Sequence, residues 1–198
     1  MLQRRFAAIA MAVLPLFAVG CTVNGPDAPP QAPPSGSENG LNLPKRPHDL
    51  PVAGLDEARA CQLITPEQQA QLGVDAGAPQ AQAGSFKTPG CLWMSHGTPT
   101  NLGATITVAP MGIADAEASK SSSPETAEQY AIAGFGAVQG QTPGAEDLGC
   151  FVDVDAANGQ TLETGVTWLG GPHLPNEEMC AKAKQVAEFA VGNLQQQG

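Results

Sequence analysis

Few residues in this 198-residue chain are arranged for chemistry. His48, His96 and His173 are its three histidines; no two have metal-ligand spacing, and no H-E-x-x-H occurs. No serine stands in a G-x-S-x-G elbow. Ser95 and His96 are adjacent, and neighbours on a strand point to opposite faces, so they make a poor nucleophile and base. Gly134-Phe135-Gly136 and Gly140 have the glycine density of a phosphate loop but the wrong spacing, and read as turn glycines. Asp153 and Asp155 alternate with Val152 and Val154, and with Glu163 on a neighbouring strand they could hold a cation. The plainer reading is a solvated sheet face. Trp93 and Trp168 read as core residues, with carbohydrate stacking the alternative for one of them. The expectation is no catalytic residue, no metal and no cofactor.

The cysteines carry more information. Cys21 follows a charged start (Arg4, Arg5), an apolar run over residues 6–18 and the small Val19-Gly20. That is the pattern of a secretion signal over residues 1–20, too short to remain as a spanning helix. A cysteine directly after the cut is what an acylated protein requires, and Ala18-Val19-Gly20-Cys21 resembles the bacterial lipobox, with Ala18 where Leu is usual. Cys21 is the expected lipid attachment site, and a lipid anchor on the outer face of the cell membrane is the expected location. Four cysteines remain, an even number in an exported chain: Cys61, Cys91, Cys150 and Cys180. None forms C-x-x-C, which argues against a zinc knuckle or a thioredoxin-like site. The expected pairs are Cys61–Cys91 and Cys150–Cys180, neighbours in sequence that close loops of equal length; crossed pairs are not excluded by the sequence.

Residues 21–51 hold eight prolines, Pro26 to Pro51, and few large apolar side chains. Such a segment buries too little to offset its ordering entropy and reads as a disordered, lipid-anchored stem. Residues 52–198 then form a single globular extracytoplasmic domain. The formal charge is −10, and loss of the signal with Arg4 and Arg5 makes it more negative. An acidic surface argues against nucleic acid and against adsorption to anionic lipid, so membrane attachment falls to the anchor alone.

Local signals place the elements. Asp56 can cap a helix running through Cys61, and Thr65-Pro66-Glu67-Gln68 is a capping box with proline at the first helical position, ended by Gly73. Residues 91–95 read as a strand after a Pro89-Gly90 turn, joined by a loop over 98–103 to a strand over 104–109. Residues 111–118 and 124–132 read as helices with a polar joint between them. Residues 150–155 and 161–169 form a second hairpin. A three-residue loop, Ala157-Asn158-Gly159, sets Val154 against Leu162, Val152 against Thr164 and Cys150 against Val166, which gathers the apolar residues on one face. A last helix opens at Pro175-Asn176 and buries Met179, Ala183, Val186, Ala187, Ala190 and Leu194. The fold class is α+β: an antiparallel sheet with helices mostly on one face.

Several of these segments together resemble a family of actinobacterial lipoproteins known as domain of unknown function 3558. They are the lipobox, the proline-rich stem, Ala60-Cys61-Gln62-Leu63-Ile64-Thr65-Pro66-Glu67, Cys91-Leu92-Trp93, Gly134-Phe135-Gly136 and the Cys180-x-x-Ala183 helix. The resemblance spans residues 55–194. Its motifs are caps, cysteines and a core tryptophan, so it implies topology more than chemistry. The domain also looks similar to the extracellular sensor domains of some mycobacterial receptor kinases, which implies a ligand cleft, by analogy of fold alone.

The expectation for function is a non-enzymatic binding module for a small ligand, an envelope component or a partner protein. The alternatives are a structural or adhesive envelope component, and a hydrolase with an unrecognised site.

Overall fold

The computed structural model describes residues 41–95, 99–120, 127–141 and 146–197. Cys21, the expected signal and residues 21–40 of the expected stem lie outside them.

The helix starts form where their caps demand. Asp56 accepts from the Arg59 N–H and opens helix α1, Glu57–Cys61. Thr65 and Gln68 close a reciprocal capping box on α2, Pro66–Leu72, which stops at Gly73 in the left-handed region (φ 70°). Helix α3 covers Ile113–Ser119 and α4 covers Asn176–Gln195. Every apolar residue expected on the inner stripe of α4 is buried, with Val191 added.

Seven strands make one sheet: β1 (Ala78–Ala83), β2 (Thr88–Met94), β3 (Asn101–Ala109), β4 (Glu128–Ile132), β5 (Phe135–Gly140), β6 (Gly149–Ala157) and β7 (Gln160–Gly170). Their order is β1-β2-β3-β7-β6-β5-β4, with every neighbouring pair antiparallel. Two meanders are thus joined where β3 meets β7. The register of β6 on β7 is the expected one: Val154 faces Leu162, Val152 faces Thr164 and Cys150 faces Val166. The tip is tighter than expected. Ala157 pairs with Gln160, leaving a two-residue Asn158-Gly159 turn, and the extra residue sits in β6 between Asp155 and Ala157 as a bulge.

Helices α1 and α4 lie against one face of the sheet, here the inner face, where Cys91, Trp93, Ile106, Val152, Val154, Leu162 and Val166 form the core. Two disulfides tie them down. Cys61–Cys91 joins α1 to β2, and Cys150–Cys180 joins β6 to α4, each with Cα atoms 5.0 Å apart. The Thr164 hydroxyl reaches the Ala183 carbonyl of α4. Helix α3 is the exception, packing on the opposite, outer face.

Five further expectations are corrected. Residues 128–132 are strand rather than helix; residues 121–126 lie outside the described set. Ala133 and Gly134 both adopt positive φ (51° and 90°), the backbone of a tight hairpin turn, so the chain folds straight back into β5. Pro89 and Gly90 lie inside β2 rather than in a turn before it, and Gly103 lies inside β3 rather than in the preceding loop. Gly136 and Gly140 are strand residues, not turn residues; a β-carbon at the first would meet Leu43, and at the second the Phe151 ring. The folded part also begins before Val52. Leu41 and Leu50 are buried, the Leu50 N–H bonds to the Ala156 carbonyl, and Arg46 pairs with Asp155. The last eleven residues assigned to the stem therefore pack on the domain.

Candidate functional site

The outer face of β3, β7 and β6 is built in rows by the strand pairing. One row is Gly103, Thr167 and Gly149; the next is Thr105, Gly165 and Phe151; the next is Thr107, Glu163 and Asp153. Two features of these rows create a site. Glycines leave the middle of the face without side chains. The Phe151 ring leans over Gly140 on its other side, where a β-carbon would collide with it. The result is a mostly apolar cleft of about 410 Å³. Gly149 and Gly165 form its floor, Thr105, Thr167 and Phe151 its sides, and Leu148 with the Gly84–Lys87 loop its rim.

One end of the cleft is closed by a buried charge cluster. Lys120, just past the end of α3, places its ammonium 2.6 Å from Asp153 Oδ2 and 2.6 Å from Glu163 Oε2. The same ammonium lies 3.7 Å from the centroid of the Phe151 ring and 4.9 Å from that of Phe86, a cation–π sandwich. Glu163 Oε1 accepts the Ser85 backbone N–H at 2.6 Å, which fastens the β1–β2 loop over the cluster. Gly84 makes this approach possible: a β-carbon there would run into the Glu163 carboxylate. Glu117 of α3 is hydrogen-bonded to Asp153.

Asp153 is fully buried, and burial pushes its carboxyl well above the usual carboxylate range. The Lys120 ammonium pulls the other way and is outweighed; the Glu117 hydrogen bond and the charges of Glu163 and Glu117 add to the rise.

This cluster corrects the solvated-face reading of Asp153 and Glu163. Their relative exposures are 0% and 2%, because α3 and the β1–β2 loop cover a face that strand alternation alone assigns to water. The two carboxylates do share a face and a cation, but the cation is a lysine of the same chain. Asp155 is drawn elsewhere, to Arg46. Among the described residues no group of His, Cys, Asp and Glu could hold a metal ion.

The remaining candidates have structural work. Ser95 is buried; its hydroxyl oxygen accepts the Leu102 N–H at 2.7 Å, closing the connection from β2 to β3. His96 lies outside the described residues. His48 packs edge-on against Phe135, and the His173 ring nitrogen meets the Asp147 carbonyl. Trp93 is core, and Trp168 packs against it from a half-buried position. A second hollow, of about 570 Å³, lies between α3 and the β6–β7 tip. Two of its three charged groups, Arg46 and Asp155, are already engaged with each other. The apolar cleft is the better ligand site on that ground.

Sequence reasoning missed Lys120 and the glycine floor. Lys120 follows an alanine-rich helix with no motif around it. Gly149 and Gly165 become a set only when β6 and β7 are placed in register.

No described helix is long and apolar enough to cross a membrane. A family model described as "Protein of unknown function (DUF3558)" matches residues 16–193. No curated protein and no solved structure matches the chain.

Proposed function

The chain belongs to the DUF3558 family of proteins of unknown function, and from that premise we propose that it is an extracytoplasmic lipoprotein, lipid-anchored through Cys21, whose domain binds a small ligand. The cleft over Gly149 and Gly165 carries the binding reading. It is concave and mostly apolar, with a few converging polar groups, which is the usual form of a small-molecule site. The anchor reading rests on Cys21 standing directly after Val19-Gly20 behind an apolar run.

The proposed function is non-enzymatic. Glu163, the acid that lines the cleft, is held by Lys120 and by the Ser85 N–H rather than aimed at a substrate. Ser95 is committed to the Leu102 N–H.

Two measurements test the two halves. Cys21→Ser should release the protein from the membrane fraction or leave the signal uncut; normal processing and retention would overturn the anchor. Native mass spectrometry of the full chain should find a bound small molecule that Gly165→Val, which fills the floor, excludes. Retention of the same molecule by folded Gly165→Val would overturn the site.

A further inference from the structure

We infer that the cleft accepts an anionic amphiphile, with a carboxylate or phosphate head held by Lys87 and an apolar tail laid over the glycine floor toward Leu148. The inference rests on the cleft reading above and adds the chemistry of its occupant.

Lys87 lines the cleft from the β1–β2 loop. It is exposed, and among the described residues it has no ion-pair partner. The other lysine at this end, Lys120, is taken up by Asp153 and Glu163. Lys87 also adopts a left-handed backbone (φ 54°), a conformation that costs a residue other than glycine about 1 kcal/mol. A strained cation thus stands at the mouth of an apolar cleft, whose lining also includes Thr105 and Thr167 as uncharged donors. The formal charge of −10 discourages anions at a distance. Screening over about 8 Å leaves the local ammonium to decide at the site.

The other end is apolar. Leu148 and Leu169 are two of the three exposed large hydrophobic residues among those described, at 50% and 49% exposure. Leu148 is on the rim, while Leu169 and Leu92 flank Gly103, where a β-carbon would sit 3.3 Å from each. From Glu163 to Leu169 is six residues of one strand, about 20 Å. The outer face therefore runs from a free ammonium, over a floor without side chains, to exposed leucines. A small polar ion would leave that apolar length unfilled, and a cationic head would meet Lys87.

The test uses the full chain carrying Cys21→Ser, purified without detergent, and titration calorimetry with three ten-carbon probes below their micelle concentrations. Decanoate and decyl phosphate separate a carboxylate head from a phosphate head; decyltrimethylammonium reverses the charge. Both anions should bind at least tenfold more tightly than the cation. Lys87→Gln should remove about tenfold from the anions and, by taking away the like charge, leave the cation bound no more weakly than before. Leu148→Gln, at an exposed position that folding does not depend on, should weaken all three probes, as should Gly165→Val. Equal or tighter binding of the cation, or anion binding indifferent to Lys87→Gln, would overturn the ligand class. The cleft itself would survive that result if Leu148→Gln and Gly165→Val still weakened the probe that binds. No binding by any probe, or binding indifferent to both cleft variants, would overturn the inference together with the cleft reading beneath it.

Discussion

Asp153 and Glu163 stand directly opposite each other on β6 and β7, and a single Lys120 ammonium lies 2.6 Å from a carboxylate oxygen of each. Like charges facing across a sheet repel, and these two are also out of water. The lysine makes the arrangement tolerable, and in doing so it fixes α3, β6, β7 and the β1–β2 loop to one point.

Removing that cation should be costly. Lys120→Gln leaves buried carboxylates without their counter-charge, and breaking a buried pair from one side costs about 3–5 kcal/mol. Urea unfolding should show a loss of that size. Adding Asp153→Asn should recover part of it, because Glu163 then has no second acid opposite it whose charge or proton must be accommodated without the lysine. Additive losses in the double variant would mean that the two groups do not act together.

The raised Asp153 sets a direction with pH. The folded state holds the Asp153 proton more tightly than the unfolded chain, where the group has its ordinary value of about 3.8. This contribution to stability is therefore full below about pH 4 and is lost as pH rises toward the elevated folded value. Asp153→Asn removes the contribution. The stability of Asp153→Asn relative to the parent should rise as pH goes from 4 to 7. A constant or falling difference would show that the proton is not held on Asp153.

Each disulfide closes a loop of 30 residues in sequence. The loop-entropy model assigns a bridge of that span about 3.5 kcal/mol. Replacing Cys150 and Cys180 together with Ala should lower the unfolding free energy by about that amount, and the Cys61/Cys91 pair should behave alike. A loss well under 1 kcal/mol from either double variant would mean that α1 or α4 holds its place by packing alone.

Ala133 occupies a left-handed turn position that Asn tolerates better. Ala133→Asn should stabilise the domain by roughly 0.5–1 kcal/mol, read as a higher thermal midpoint. Destabilisation would indicate that the β4–β5 turn differs from the one described.

What the sequence determined by itself is local or periodic. Capping at Asp56 and Thr65 depends on side chains within three residues of the backbone they satisfy, and the buried stripe of α4 repeats with the helix. The β6–β7 register was legible because Cys150, Val152 and Val154 must share a face with Val166, Thr164 and Leu162. Both disulfide pairs followed the shorter of the loops open to them.

Where a conformation depends on a neighbouring strand or a covering element rather than on the segment's own residues, the same reasoning failed. Residues 128–132 suit a helix locally and become β4 because β5 lies alongside. Strand β1, Ala78-Pro79-Gln80-Ala81-Gln82-Ala83, has no β-branched or large apolar residue and forms on the edge offered by β2. Strand alternation placed Asp153 and Glu163 together correctly, but which face water reaches was decided by α3 and the β1–β2 loop, 33 and 78 residues away in the contacts of Lys120 with Asp153 and of Ser85 with Glu163. The glycine floor belongs to the same class. Each glycine alone reads as a flexible residue, and only β6 and β7 in register turn the missing side chains into a cleft floor.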